Sequence, residues 1–219
     1  MKRIRTRRAR RGLAAFVLVA IGLLATGAGG SVAAESRAGG TLTIGLAEDP
    51  DALDPTLART FVGRMVFLHM CEKLYDLNAK LQIVPQLAAA MPTLSGDKRT
   101  MTIRIRRGVR FNDGTPLNAQ AVKISLDRHR TLAGSARASE ISPITAVTVV
   151  NNFTVRLQMN ARFSPLTAQL ADRAGMIMSP RALDQLGTRF ASGPVCVGPF
   201  RFTSRTAGDR IVVDKSPFY

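Results

Sequence analysis

Side chains capable of chemistry are few in this 219-residue chain, and their spacing argues against catalysis. The only histidines, His69 and His129, each fall inside an expected helix. No pair of histidine or cysteine residues has metal-ligand spacing. A serine or cysteine nucleophile needs a base that a third group orients, and no such trio is legible, so an enzyme is not expected and no cofactor is implied. The segment EDPDALDP carries Glu48, Asp49, Asp51 and Asp54. It lacks the central glycine and terminal glutamate of a calcium-binding EF-hand loop, and its acids fit better as acceptors for backbone amides in proline-bounded turns. The run RIRRGVR has no interleaved aromatic residues beyond Phe111, so it reads as a solvated strand face rather than a nucleic-acid surface. Cys71 and Cys196 admit two readings, a disulfide or two buried thiols.

The elements that must position these residues follow an unusual leader. Lys+Arg exceed Asp+Glu by 31 to 15, a net charge of +16. Seven of those basic residues precede residue 12, and an uncharged apolar run follows from Leu13 to Ala25. A basic start, a short apolar run and small residues up to Ala34 make a secretory signal peptide over residues 1–34. The apolar run is short for a bilayer span, which needs roughly 20 residues; a retained signal anchor is the alternative, and two Arg pairs leave Sec or twin-arginine export open. Beyond Ala34, twenty-four basic and fifteen acidic residues leave +9. A hydrophobic fraction of 46% with moderate charge excludes disorder, and the product is expected to be exported and globular.

Alternation predicts a strand over residues 41–47 and another over Met101–Arg106, with Arg104 and Arg106 on its wet face. Apolar residues on most faces predict a buried helix over Thr60–Leu74. Asn112-Asp113-Gly114 supplies a tight turn, and the helix after it starts from an Asn118 cap. A hairpin is expected over Thr145–Met159 with Asn151-Asn152 at its tip. Ser164-Pro165 and Ser179-Pro180 each look like a cap followed by proline in the first helical turn, with Gly187 ending the second helix. Two closing strands meet at a Gly-Asp turn. Strands and helices mix throughout, so the class is α/β or α+β.

In order along the chain, GGTLTIGLAEDPDALDP, LYDLNAKLQIVPQLA, MTIRIRRGVRFNDGTPLNAQAVKISLDR and VGPFRFTSRTAGDRIVV resemble the amino-terminal part of the family 5 extracellular solute-binding proteins, the receptors of ABC importers for peptides, nickel and related solutes. The resemblance covers residues 39–219. In that family the Asp-Gly-Thr-Pro corner is scaffold, here Asp113, Gly114, Thr115 and Pro116. Where relatives carry Ala-Glu-Asp-Val, this chain has Ala119-Gln120-Ala121-Val122, losing two helix-start acids worth roughly 0.3–1 kcal/mol each.

The resemblance implies an α/β fold, periplasmic binding protein-like type II, with the first lobe and its extra subdomain but not the second lobe. The implied divisions are 35–75 as the first part of lobe I, 76–192 as an inserted subdomain, and 193–219 as the return to lobe I. Family members are well over twice this length, so a truncated reading frame or fragment is expected. The resemblance places Arg59, Thr60, Phe61 and Tyr75 toward the solute. It also puts Cys71 and Cys196 in one lobe, within reach of a disulfide. The expected protein is a periplasmic, monomeric, non-catalytic receptor that takes a small-molecule or peptide solute to an ABC permease in the inner membrane. It is not expected to bind nucleic acid. The competing reading is a basic cell-envelope protein that binds polyanions without a transport role.

Overall fold

A computed structural model describes residues 39–219; the expected signal peptide lies outside the described residues. Gly45–Tyr219 form one compact unit. The strand expected over 41–47 is absent, and residues 39–46 carry no regular structure. Alternation supplies the two faces of a strand, but the ladder needs a partner, and no described strand pairs with this segment.

The first helix, α1 (Phe61–Met70), is shorter than the sequence suggests. It ends because the chain at Cys71 turns extended and is held from outside. Cys71 is joined to Cys196 by a disulfide, and the Glu72 amide donates to the Val197 carbonyl at 2.7 Å. Gly198 completes the junction: a β-carbon there would stand 2.4 Å from the Met70 carbonyl oxygen. Nor is α1 buried all round, because Phe61, Met65 and Leu68 are exposed along one side, at the spacing of a helical stripe.

What reads as a turn-rich arm contains a hairpin of β1 (Tyr75–Leu77) with β2 (Ile83–Pro85), then the short strand β3 (Thr93–Leu94). Strand β4 (Thr100–Arg104) follows. The chain turns at Gly114, whose φ of 82° suits glycine. Asn118 accepts from the Ala121 amide and starts α2 (Ala119–Thr131), with Val122 and Leu126 fully buried.

Strands β5 (Ile144–Asn151) and β6 (Thr154–Met159) form a hairpin turning at Asn152-Phe153, one residue later than expected. The four-stranded antiparallel sheet runs β3-β4-β6-β5. Its inner face, with Met101, Ile103, Val155 and Leu157, packs with α2 and the loop residues Phe111, Leu117 and Ile141 in the main core. Ser164 does not cap α3 (Leu166–Gln169), whose N-cap is Pro165 with no side-chain bond; this helix is a single turn held by Leu166 in the core. Ser179 does cap α4 (Pro180–Leu186), accepting from the Ala182 amide. The chain closes with the hairpin β7 (Phe200–Thr206) and β8 (Arg210–Lys215), turning at Gly208.

The disulfide spans 125 residues of sequence, so it restricts a long loop of the unfolded chain. Reduction is expected to lower unfolding stability by up to roughly 4–5 kcal/mol in the chain-entropy model, read as the shift in denaturant midpoint with and without reductant. A Cys71→Ser, Cys196→Ser double variant should show the same midpoint as the reduced protein and no further response to reductant.

Candidate functional site

The acids before α1 fold the chain into a loop whose polar groups are nearly all engaged. Asp51 accepts the Arg59 amide at 2.7 Å and the Thr60 hydroxyl at 3.0 Å. Partial burial raises its pKa, but those hydrogen bonds prevail and hold it below the usual carboxylate range. Thr60 in turn accepts from the Gly63 amide and caps α1, so its hydroxyl is already occupied on both sides. Asp49 ties the start of the loop to the β7–β8 turn through Arg205 and the Gly208 amide.

Beneath the loop lies a buried polar joint. Asp54 is completely inaccessible and receives two parallel bonds from the Arg128 guanidinium of α2, at 2.9 and 2.6 Å. This fork geometry is the strongest form of carboxylate pairing. Asp54 also accepts the Thr56 amide at 2.8 Å, and Arg128 donates to the Thr56 hydroxyl. His129, fully buried, has Nε2 3.1 Å from the Met176 carbonyl and Nδ1 2.9 Å from the Thr56 hydroxyl. A carbonyl only accepts, so Nε2 carries the proton and Nδ1 accepts from Thr56. Burial, the largest influence, pushes the His129 pKa down to about 4.

Two further arginines brace the loop from below. Arg137 and Arg173 both donate to the Ala58 carbonyl, at 3.2 and 3.1 Å, and Arg173 also reaches the Thr60 carbonyl at 3.0 Å. Arg137 pairs with Glu140 at 2.6 Å, and Arg64 pairs with Asp172 beside Arg173. Nothing local in the sequence marks Arg137 or Arg173, since each answers carbonyls more than seventy residues away in the chain.

These bonds divide the four expected solute residues. Arg59 is exposed, its guanidinium touches only the Gly134 carbonyl at 3.1 Å, and it joins no ion pair among the described residues. Phe61 is 66% exposed, with Arg64 5.8 Å from its ring centre. The two are near neighbours at the start of α1, and both are exposed. Thr60 lies between them but is engaged as the cap. Tyr75 is fully buried in the main core, its hydroxyl without a protein partner, and burial pushes its pKa up. It does not join the other three at the surface. Among the described residues no cluster of three His, Cys, Asp or Glu side chains could hold a metal.

The model of the bacterial extracellular solute-binding proteins, family 5, matches residues 82–219, more than half of the chain. The chain belongs to that family. Family 5 proteins are solute-binding receptors of the periplasm or exterior, and the periplasmic binding protein type II fold is shared with them. The curated relatives include the glutathione-binding protein GsiB of Salmonella choleraesuis, 31% identical over 199 residues and covering 90% of this chain but 39% of its own. GsiB of Pectobacterium atrosepticum is 30% identical over 169 residues, covering 77% of this chain and 33% of that one. This family 5 chain therefore spans little more than a third of the length of those relatives. Among solved structures, AgaA of A. tumefaciens R10 in complex with agropinic acid aligns at a TM-score of 0.73 and 28% identity, over 78% of this chain and 35% of its own. The pheromone receptor PrgZ shares the fold at a TM-score of 0.73 and 23% identity, over 78% of this chain and 38% of its own.

His129 makes the joint acid-sensitive. Its folded pKa, about 4, lies below the ordinary 6.5, so the unfolded chain binds the proton more readily. The contribution is complete above pH 6.5 and falls away as pH drops toward 4, by about 3 kcal/mol at most. Denaturant midpoints measured from pH 7 to 4 are expected to fall through this window. His129→Gln, whose amide can donate to the Met176 carbonyl and accept from Thr56, should flatten that part of the curve.

Proposed function

We propose that this family 5 protein is the solute-binding component of an ABC-type importer, that it takes a peptide or peptide-like solute, and that it delivers the solute to a membrane permease. The observation that carries the reading is the 51–61 loop. Its backbone is tied down by Asp51, Asp54, Arg137 and Arg173, while Arg59 and Phe61 are exposed and Arg59 joins no ion pair among the described residues. A cation and an aromatic ring held on a rigid edge suit a ligand with a carboxylate and an apolar body. Glutathione and agropinic acid, for which two of the relatives are named, both carry carboxylates, which supports a small acidic or peptidic solute here.

In this reading residues 35–75 and 193–219 belong to lobe I and residues 76–192 form its inserted subdomain. The loop is one wall of a cleft that a second lobe closes by a hinge, the usual closure of such receptors. Residues 1–34 serve as the export signal, the receptor works in the periplasm as a monomer, and no chemical step is required of it.

A single wall leaves most of a ligand in water. The chain of residues 35–219 titrated alone by calorimetry with di- and tripeptides is therefore expected to bind no more tightly than about millimolar. Micromolar affinity would contradict the two-lobe reading. In a receptor of the relatives' length that carries this chain, Arg59→Ala and Phe61→Ala should each weaken peptide binding by about tenfold, roughly 1.4 kcal/mol. Tyr75→Phe should leave it unchanged.

A further inference from the structure

The four-stranded sheet buries one face and leaves the other uncovered. Pairing fixes which residues share the outer face: Thr93 lies opposite Thr102, Thr102 opposite Arg156, Arg104 opposite Thr154, and Arg156 opposite Thr148. Alternation along β4 and β6 puts Thr100, Thr102 and Arg104, with Thr154, Arg156 and Gln158, on that side. No aspartate or glutamate lies among these positions. Arg104 and Arg156 are exposed, and their guanidinium groups make no ion pair or hydrogen bond among the described residues. A shallow open depression of about 340 Å³, lined by Met91, Thr93, Thr102, Arg104 and Thr154, sits in this face.

Two features favour a flat anionic partner over a small solute. The depression is broad and open rather than enclosed, and its donors are arginine and threonine groups spread over a plane. Exposed Met91 and Val150 flank the arginines, the combination of shallow apolar groups with cationic ones that suits the headgroup layer of a bilayer. Neither aromatic platform nor recognition helix is present on the face, as a polysaccharide or nucleic acid would use.

We propose that the outer face of the β3-β4-β6-β5 sheet docks on anionic phospholipid headgroups, with Arg104 and Arg156 as the phosphate-facing cations. Thr102 and Thr154 supply hydroxyl donors between them. The surface is distinct from the Arg59–Phe61 edge and does not depend on which solute that edge takes. It gives a physical use to part of the +9 that remains after Ala34, and it would hold the protein at the membrane surface.

The test is co-sedimentation of the protein, as isolated from cells, with vesicles of phosphatidylcholine alone or mixed with phosphatidylglycerol. Binding is expected only to the anionic vesicles and should be lost as salt rises. Arg104→Ala and Arg156→Ala should each weaken partitioning by about fivefold, the effect of roughly one surface charge. Arg201→Gln removes the same charge from the β7–β8 hairpin and serves as the control. Thermal melts establish that each variant is folded before it is compared. Equal losses in Arg201→Gln and in the sheet variants would overturn the proposal in favour of a net-charge effect. So would equal binding to neutral vesicles, or no vesicle binding by the unaltered protein.

Discussion

The bidentate pair between Asp54 and Arg128 is the constraint on which the rest of the architecture turns. It joins the loop before α1 to the last turns of α2, through a carboxylate with no solvent access. Buried pairs of this kind give little net stability over an apolar substitute of similar shape, but removing one partner strands a charge and is costly, roughly 3–5 kcal/mol. Here the pair also organises neighbours. Arg128 engages Thr56, Thr56 engages His129, and His129 reaches the Met176 carbonyl, so three separate stretches of chain meet in one satisfied network. Ser125, one turn earlier on α2, accepts from the Met178 amide at 3.0 Å and extends the same seam.

That seam explains how a polar loop can be rigid without a ligand. The carbonyls of Ala58 and Thr60 are answered by Arg137 and Arg173, and the amides of Arg59 and Thr56 by Asp51 and Asp54. With the backbone thus engaged, the conformational freedom that binding would otherwise remove is already gone, which is the physical content of preorganisation. The side chains of Arg59 and Phe61, which the network does not need, are left exposed. The disulfide and the Gly198 contact act at the other end of α1, so the helix that carries Phe61 is fixed at both termini.

Features set by local chemistry were legible in the sequence. The Asp113-Gly114 turn, the Asn118 cap and the Ser179-Pro180 start all depend on residues within a few positions of each other. Features set by distant partners were not. Residues 41–47 alternate well, yet form no strand, and no ladder among the described residues meets them. Ser164-Pro165 copies the form of Ser179-Pro180, but α3 is one turn long and is placed by Leu166 in the core rather than by a cap. Helix α1 stops before Leu74 because Cys71, Glu72 and Met70 are engaged by Cys196, Val197 and Gly198, more than a hundred residues onward. At the candidate site, the family resemblance pointed to Arg59, Thr60 and Phe61 together. It could not separate the two outward side chains from the cap between them, nor reveal that Tyr75 is enclosed. The arginines that hold the loop carried no periodic signal at all.

The most direct test of this account is amide hydrogen exchange over Leu57–Phe61 in the unaltered protein and in Asp54→Asn. If the buried pair holds the loop in place, exchange there should accelerate by about tenfold or more in the variant, since a pair worth several kcal/mol when broken has been weakened. The β4–β6 ladder should keep its protection. Unchanged protection over Leu57–Phe61 in a folded variant would contradict the account, and the order of the loop would then have to come from Asp51, Arg137 and Arg173.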